Sequence, residues 1–259
     1  MFRDMKPLDR DQHRCLRLAP NQPFLHAAKE MLVSVVAAEA SQIAREYVIV
    51  FPGGESGLPA ALLGAQEGVN AYVNEQGQWV GRYIPAVVRR YPFQLLSRGP
   101  VDEGKAGETR FAILIDESAP HLAETAGERL FTDAGEPTAT LLRVQQVLTA
   151  LEQERVRTNA LVSQLDQQGL LVDRVVKIQP SGQDVRQVSG LRVIDPKRLN
   201  GLTADALKAL HTTGALELAY AHLLSLSNLR DGWLAKRSAA PQIDIMDFSL
   251  ADPLNFNLH

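Results

Sequence analysis

The stretch TRFAILIDE, residues 109–117, is apolar through its middle and stops abruptly at two carboxylates, Asp116 and Glu117. A continuous β-branched and aromatic run of that length, bounded by polar sequence, predicts a buried strand. YVIVF, residues 47–51, has the same character. HRCLRL (13–18), PAALLG (59–64), NAYVN (70–74) and FQLL (93–96) are shorter strand candidates, and NEQGQW places Asn74 and Gly77 in a hairpin turn. A helical period occurs once in this half: Leu32, Val35, Val36, Ala40 and Ile43 recur over residues 30–46 among Glu30, Glu39 and Glu46. Pro85 and Pro92 bracket AVVRRY, residues 86–91, which leaves room for one helical turn or a short segment. Short strands in quick succession favour antiparallel pairing.

From Glu136 the period lengthens. One helical pattern runs to Gly169, a natural C-terminal cap. Its stripe of Leu141, Val144, Leu148 and Leu151 meets Arg155 and Thr158 before returning at Val162 and Leu165. Such an interrupted stripe predicts a bundle helix rather than a coiled coil. RVVKIQ, DVRQV and GLRVID predict a β-hairpin turning at Ser181 and Gly182 and a further strand. Two helices follow, one N-capped by Thr203 and one carrying Leu216, Ala219, Tyr220, Leu223, Leu224 and Leu226 on one face. The fold class expected is α+β. A strand-rich part with one early helix spans 1–135. A mainly helical part with a small inserted β-hairpin spans 136–240 and packs on the first. A flexible tail, 241–259, alternates acidic and apolar residues and stays off the core.

Composition narrows the function classes. In 259 residues, 45% hydrophobic and 22% charged, the formal net charge is −3, so nucleic acid is not an expected partner. The single cysteine, Cys15, makes no internal disulfide and no cysteine-rich zinc site, and reads as a buried, inert thiol. The N-terminus is charged throughout, without the apolar core of a secretory signal, and the longest apolar stretch, MLVSVVAAEA, is too short to span a bilayer. The expected location is the cytoplasm. The six histidines are scattered without metal-ligand spacing, and His222, between Ala221 and Leu223 on an apolar helix, reads as a hydrogen-bonded core residue. GESGL (54–58) lacks the glycine and helix of a nucleophile elbow. Adjacent carboxylates on a strand diverge, so Asp116 and Glu117 do not form an acid–base pair. No catalytic residue, metal ligand or cofactor is predicted.

The candidate site is YIPAVVRRYPF, residues 83–93, where Arg89 and Arg90 sit in an apolar, aromatic run. A charge in such surroundings requires a partner. Neighbouring residues lie about 100° apart on a helix and on opposite faces of a strand, so the two arginines do not serve one carboxylate. One is expected to pair structurally, with Glu39 or Asp116, since a planar guanidinium binds a carboxylate bidentately. The other is expected to face a groove lined by Tyr83, Tyr91 and Phe93 and to meet an anion. Arg90, nearest the Tyr91–Pro92–Phe93 corner, is taken as the structural one, and Arg89 as the ligand-facing one.

HRCLRLAP, the Glu39 segment leading into YVIVFP, PAALLG, NAYVNEQGQW, YIPAVVRRYPF, AILID, LFTDAGEPT and GALELAYAHLLSLSNL follow one another in an order that resembles the SapC family of bacterial proteins, over roughly residues 6–237. YIPAVVRRYPF is the most specific element. The resemblance implies an association with bacterial surface layers and with genes for outer-membrane receptors and nutrient uptake, and carries over no catalytic residue. The function expected is that of a non-catalytic binding or accessory protein linked to cell-surface or uptake machinery. The alternatives are an enzyme acting on an anionic small molecule or peptide, and a structural surface-layer component. A protein or peptide partner is expected, then an anionic small molecule, then a homodimer through the long helix.

Overall fold

The computed structural model describes residues 1–20, 22–53, 57–100, 109–179, 186–233 and 242–244. In chain order the strands are β1 (Met5–Pro7), β2 (Arg17–Leu18), β3 (Leu32–Ser34), β4 (Val48–Pro52), β5 (Ala60–Leu62), β6 (Phe93–Pro100), β7 (Thr109–Asp116), β8 (Leu122–Ala123), β9 (Glu128–Arg129), β10 (Leu171–Gln179), β11 (Arg186–Ile194) and β12 (Gln242–Asp244). The α-helices are α1 (Ala40–Ala44), α2 (Ala86–Arg89), α3 (Ala139–Gln167), α4 (Pro196–Asn200), α5 (Ala204–Thr213), α6 (Ala215–Ser225) and α7 (Asn228–Asp231). The fold is α+β, and every strand pair is antiparallel.

The largest sheet runs β12-β10-β11-β4-β5-β3. β4 is apolar at every position because both its faces are covered. Val48 and Val50 pack with Leu191 and Leu229. Ile49 and Phe51 face a core that also holds Ile43, Val162, Leu165, Ile194 and Leu218. That core draws on residues from both sides of position 135. The hairpin β10–β11 is no small insertion: its strands are nine residues each, and β11 pairs with β4 through Leu191↔Pro52 and Arg192↔Phe51. The change of composition near 135 therefore does not coincide with a break in packing.

Where β4 and β11 part, α6 fills the gap. Ile194 N–H donates to Nε2 of His222 at 3.2 Å, so the ring proton sits on Nδ1, which donates to the Ile49 carbonyl at 2.7 Å. Ser225 Oγ accepts from Ile49 N–H at 2.9 Å. His222 is fully buried, and burial pulls its pKa down to about 4, which keeps the ring neutral. It is the core histidine its sequence setting suggested.

The helix expected over 30–46 is corrected. Leu32–Ser34 is strand β3, paired with β5 at Val33↔Ala61, and helical structure covers only a 3₁₀ turn at Ala37–Glu39 and α1. Val33 and Val35 alternate into the core, so two-residue periodicity operates where the same apolar residues also fit a helical stripe. NAYVN is not a ladder strand either. It makes one bridge, Val73↔Trp79, around the expected turn, where Gly77 adopts φ 75°. The second helix expected at the C-terminal end is divided into α6 and α7.

β7 pairs with β1 and β6, and β2 pairs with β8 and β9 in a small ribbon. α3 is capped by Thr138, whose Oγ1 accepts from Leu141 N–H at 3.4 Å. Its polar middle has a structural reason: Thr158, fully buried, accepts from Ala37 N–H at 2.8 Å and donates to the Glu154 carbonyl at 2.6 Å. Thr203 caps α5 as expected, accepting from Ala206 N–H at 3.3 Å. Cys15, expected buried, is exposed. The tail expected to start at 241 contributes β12 to the sheet edge, with Ile243 opposite Ile178. Residues 245–259, the Gly54–Ser56 part of GESGL, the polar turn at 101–108 and the hairpin turn at Ser181 and Gly182 lie outside the described residues. Among the described residues no helix is long and apolar enough to cross a membrane.

Candidate functional site

Pro85 starts a single helical turn: its carbonyl accepts from Val88 N–H at 2.9 Å and from Arg89 N–H at 3.1 Å. Phe93 N–H closes on the Arg90 carbonyl at 2.8 Å, and the Tyr91–Pro92 bond is cis. This compact corner sends the two arginines in different directions, as adjacent positions on a helical turn require.

Arg89 is exposed but tied. Its Nε donates to the Ile84 carbonyl at 2.9 Å, its Nη2 to the Tyr83 hydroxyl at 3.1 Å, and its guanidinium lies 5.4 Å from the Tyr83 ring centre. Tyr83 passes the connection on, donating to Glu39 Oε2 at 2.9 Å. The same oxygen accepts from Ala86 N–H at 2.9 Å, and Oε1 accepts from Val36 N–H at 3.3 Å. Glu39 is buried, and burial pushes its carboxyl above the usual range against the opposing hydrogen bonds from Ala86, Tyr83 and Val36. These contacts make a strut that fixes α2 against the 3₁₀ turn.

Arg90 turns the other way. Among the described residues its side chain makes no hydrogen bond and no ion pair, and its Nε is buried without a partner. The Phe2 ring centre lies 5.6 Å from the guanidinium carbon. Burial lowers the guanidinium pKa, opposed only by the pull of Glu152, whose own oxygens take two 2.8 Å hydrogen bonds from Arg155.

Neither arginine pairs directly with Glu39. Arg89, expected to face the ligand, reaches Glu39 through Tyr83 and borders the larger cavity, and Arg90, expected to pair structurally, makes no such contact among the described residues. Asp116 serves neither. Fully buried, it accepts from the backbone N–H groups of Arg3 and Asp4 at 2.9 and 3.1 Å, from Ser118 Oγ at 2.7 Å and from the Tyr91 hydroxyl at 3.2 Å. Burial alone would raise its pKa, but hydrogen bonds from Ser118, Arg3 and Asp4 outweigh it and the net shift is downward. Asp116 anchors the N-terminal segment and one face of the corner. His26 stacks on the Tyr91 ring at 4.0 Å between ring centres.

Two cavities meet at Arg90. The larger, about 460 Å³, lies between the corner and α3, walled by Leu18, Pro20, Tyr91, Phe93, Val144, Val147 and Leu148. The smaller, about 380 Å³, is bordered by Glu39, Gln94, Leu95, Glu152 and Arg155. Of the three aromatic residues expected at the groove, Tyr91 and Phe93 border the larger cavity and Tyr83 does not. The opposite wall, from β2 and α3, was not foreseen. Its one trace in the sequence is Val147, an apolar residue off the α3 stripe that is 59% exposed. Among the described residues no cluster of three or more histidine, cysteine or acidic side chains is placed to hold a metal ion.

No curated protein and no solved structure matched the chain. One family model did, over residues 8–231, a span that takes in the corner, both cavities and nearly every element described above; the chain belongs to the SapC family.

Proposed function

We propose that the chain is a non-catalytic binding or accessory protein that takes an anionic group at Arg90, works in the cytoplasm and serves bacterial cell-surface or nutrient-uptake machinery. The observation that carries the reading is Arg90 itself: a half-buried guanidinium that makes no hydrogen bond or ion pair among the described residues, placed where two cavities meet. An uncompensated buried charge is costly, and an anionic ligand offsets that cost. A small anionic molecule and the carboxylate of a partner peptide are both ligands under this reading. The carboxylates that border the smaller cavity with Arg90 are already engaged, Glu39 by Tyr83 and Ala86 and Glu152 by Arg155, which favours binding over acid–base chemistry.

The test is the pair Arg90→Met and Arg89→Met, each examined by melting curve and by titration with acetate, phosphate, laurate and a short peptide bearing a free C-terminal carboxylate. Arg90→Met keeps the apolar stem and removes the charge. It is expected to melt no lower than the parent and to bind the best anion at least tenfold more weakly. Arg89→Met is expected to melt lower and to keep binding. A drop of several degrees for Arg90→Met with anion binding unchanged, or no anion bound by the parent, would remove the reading.

A further inference from the structure

We infer that the ligand of the larger cavity is a long-chain carboxylate, with its chain along the groove between β2 and α3 and its carboxylate on Arg90. This rests on the reading of Arg90 as an anion site and adds the chemistry of the rest of the ligand.

The polar inventory of the groove selects it. Its walls are the aliphatic and aromatic surfaces of Leu18, Pro20, Phe93, Val144, Val147 and Leu148. The other polar side chains on its border are already matched to one another. Arg143 donates to Glu128 Oε2 at 2.8 Å, Thr140 donates to the same carboxylate, Tyr91 donates to Asp116, and Arg89 is held by Ile84 and Tyr83. Among the described residues Arg90 is the one charged side chain on this border that makes no hydrogen bond, and its buried Nε lies at the junction with the second cavity. A complementary ligand carries one anionic head and no further polar atoms.

A peptide does not meet that description. Each of its residues brings an N–H and a C=O that need partners once buried. β2 in particular offers no free edge for strand addition, being paired through Arg17 to Ala123 and to Arg129. A phosphate dianion calls for more than one cation; of the other two arginines on the border, Arg143 is paired with Glu128 and Arg89 is held by the Ile84 carbonyl and the Tyr83 hydroxyl. A carboxylate matches one guanidinium in charge and in its two-oxygen geometry. The volume of about 460 Å³ falls within the range of small-molecule sites. Val147, exposed on α3 and lining the cavity, is covered once a chain lies in it.

The test is calorimetric titration of the full chain with laurate, dodecanol, acetate and a peptide with a free C-terminal carboxylate, repeated on Arg90→Met and Val147→Asp. Laurate is expected to bind at least tenfold more tightly than each of the others. Arg90→Met should bring laurate down to the level of dodecanol. Val147→Asp, at an exposed position, should melt like the parent and bind laurate at least tenfold more weakly, because its carboxylate repels the ligand's and competes for Arg90. If acetate or the peptide binds as tightly as laurate and Arg90→Met abolishes it, the anion site stands and the long-chain inference falls. If dodecanol equals laurate and Arg90→Met changes nothing, both fall. If Arg90→Met does not fold, the Val147→Asp titration decides, and unchanged laurate binding there overturns the inference.

Discussion

At the scale of single residues, buried polar groups do most to specify this structure. His222 uses both ring nitrogens to join strands that have separated, and replacing it leaves a buried carbonyl at Ile49 and a buried N–H at Ile194. His222→Phe is expected to cost about 2–4 kcal/mol in urea unfolding, from two unmatched backbone groups. The same residue couples stability to pH. Burial holds His222 at about 4, and burial likewise holds His26 at about 4, against 6.5 for a free histidine. Above pH 6.5 both states are neutral and stability is at its full value. Between 6.5 and 4 the unfolded chain takes up protons that the folded chain refuses, so stability falls as pH falls. Urea midpoints at pH 7 and pH 5 should differ in that sense. The difference should shrink in His222→Gln, provided that variant folds.

At the scale of elements, α3 shows how a polar residue in an apolar stripe is explained by what lies across from it. Thr158 interrupts the repeat begun at Leu141 because its hydroxyl satisfies the first N–H of the 3₁₀ turn, at Ala37. Thr158→Val conserves shape and removes that acceptor, and a loss of about 1–3 kcal/mol is expected, the cost of one unmatched buried donor. Thr158→Ser keeps the hydroxyl and should lose less. Equal melting temperatures for the parent and Thr158→Val would show that Ala37 finds another partner. The corner at residues 85–93 works by the same logic. Its prolines and the Glu39 strut orient α2, and that orientation decides which arginine is tied and which is open.

At the scale of the whole molecule, sheet and core join early and late sequence. β4 receives β11 on one edge and β5 on the other, and α3 and α6 cover its inner face. Residues 1–135 expressed alone therefore lack the partner of β4 and the side chains of Val162, Leu165, Ile194 and Leu218. That fragment is expected to show no cooperative thermal transition, whereas the full chain should unfold in one. A cooperative melt of the fragment would restore the boundary suggested by composition.

The amino-acid sequence by itself determined the elements whose signals are local: the unbroken strands β4 and β7, the length of α3 and its end near Gly169, the cap at Thr203, the turn at Gly77, and the short reach of the segment between Pro85 and Pro92. It also determined the family, since those segments occur in a shared order. Only the tertiary structure decided the rest. Residues 30–46 satisfy a helical and a two-residue period at once, and pairing with β5 selects the strand at one end. Arg89 and Arg90 are chemically equivalent in the sequence. They differ because the Ile84 carbonyl and the Tyr83 hydroxyl hold Arg89, while Arg90 meets no such acceptor among the described residues and lies against the apolar wall from β2 and α3. That wall is built by residues far apart in the chain, and no local pattern encodes their meeting.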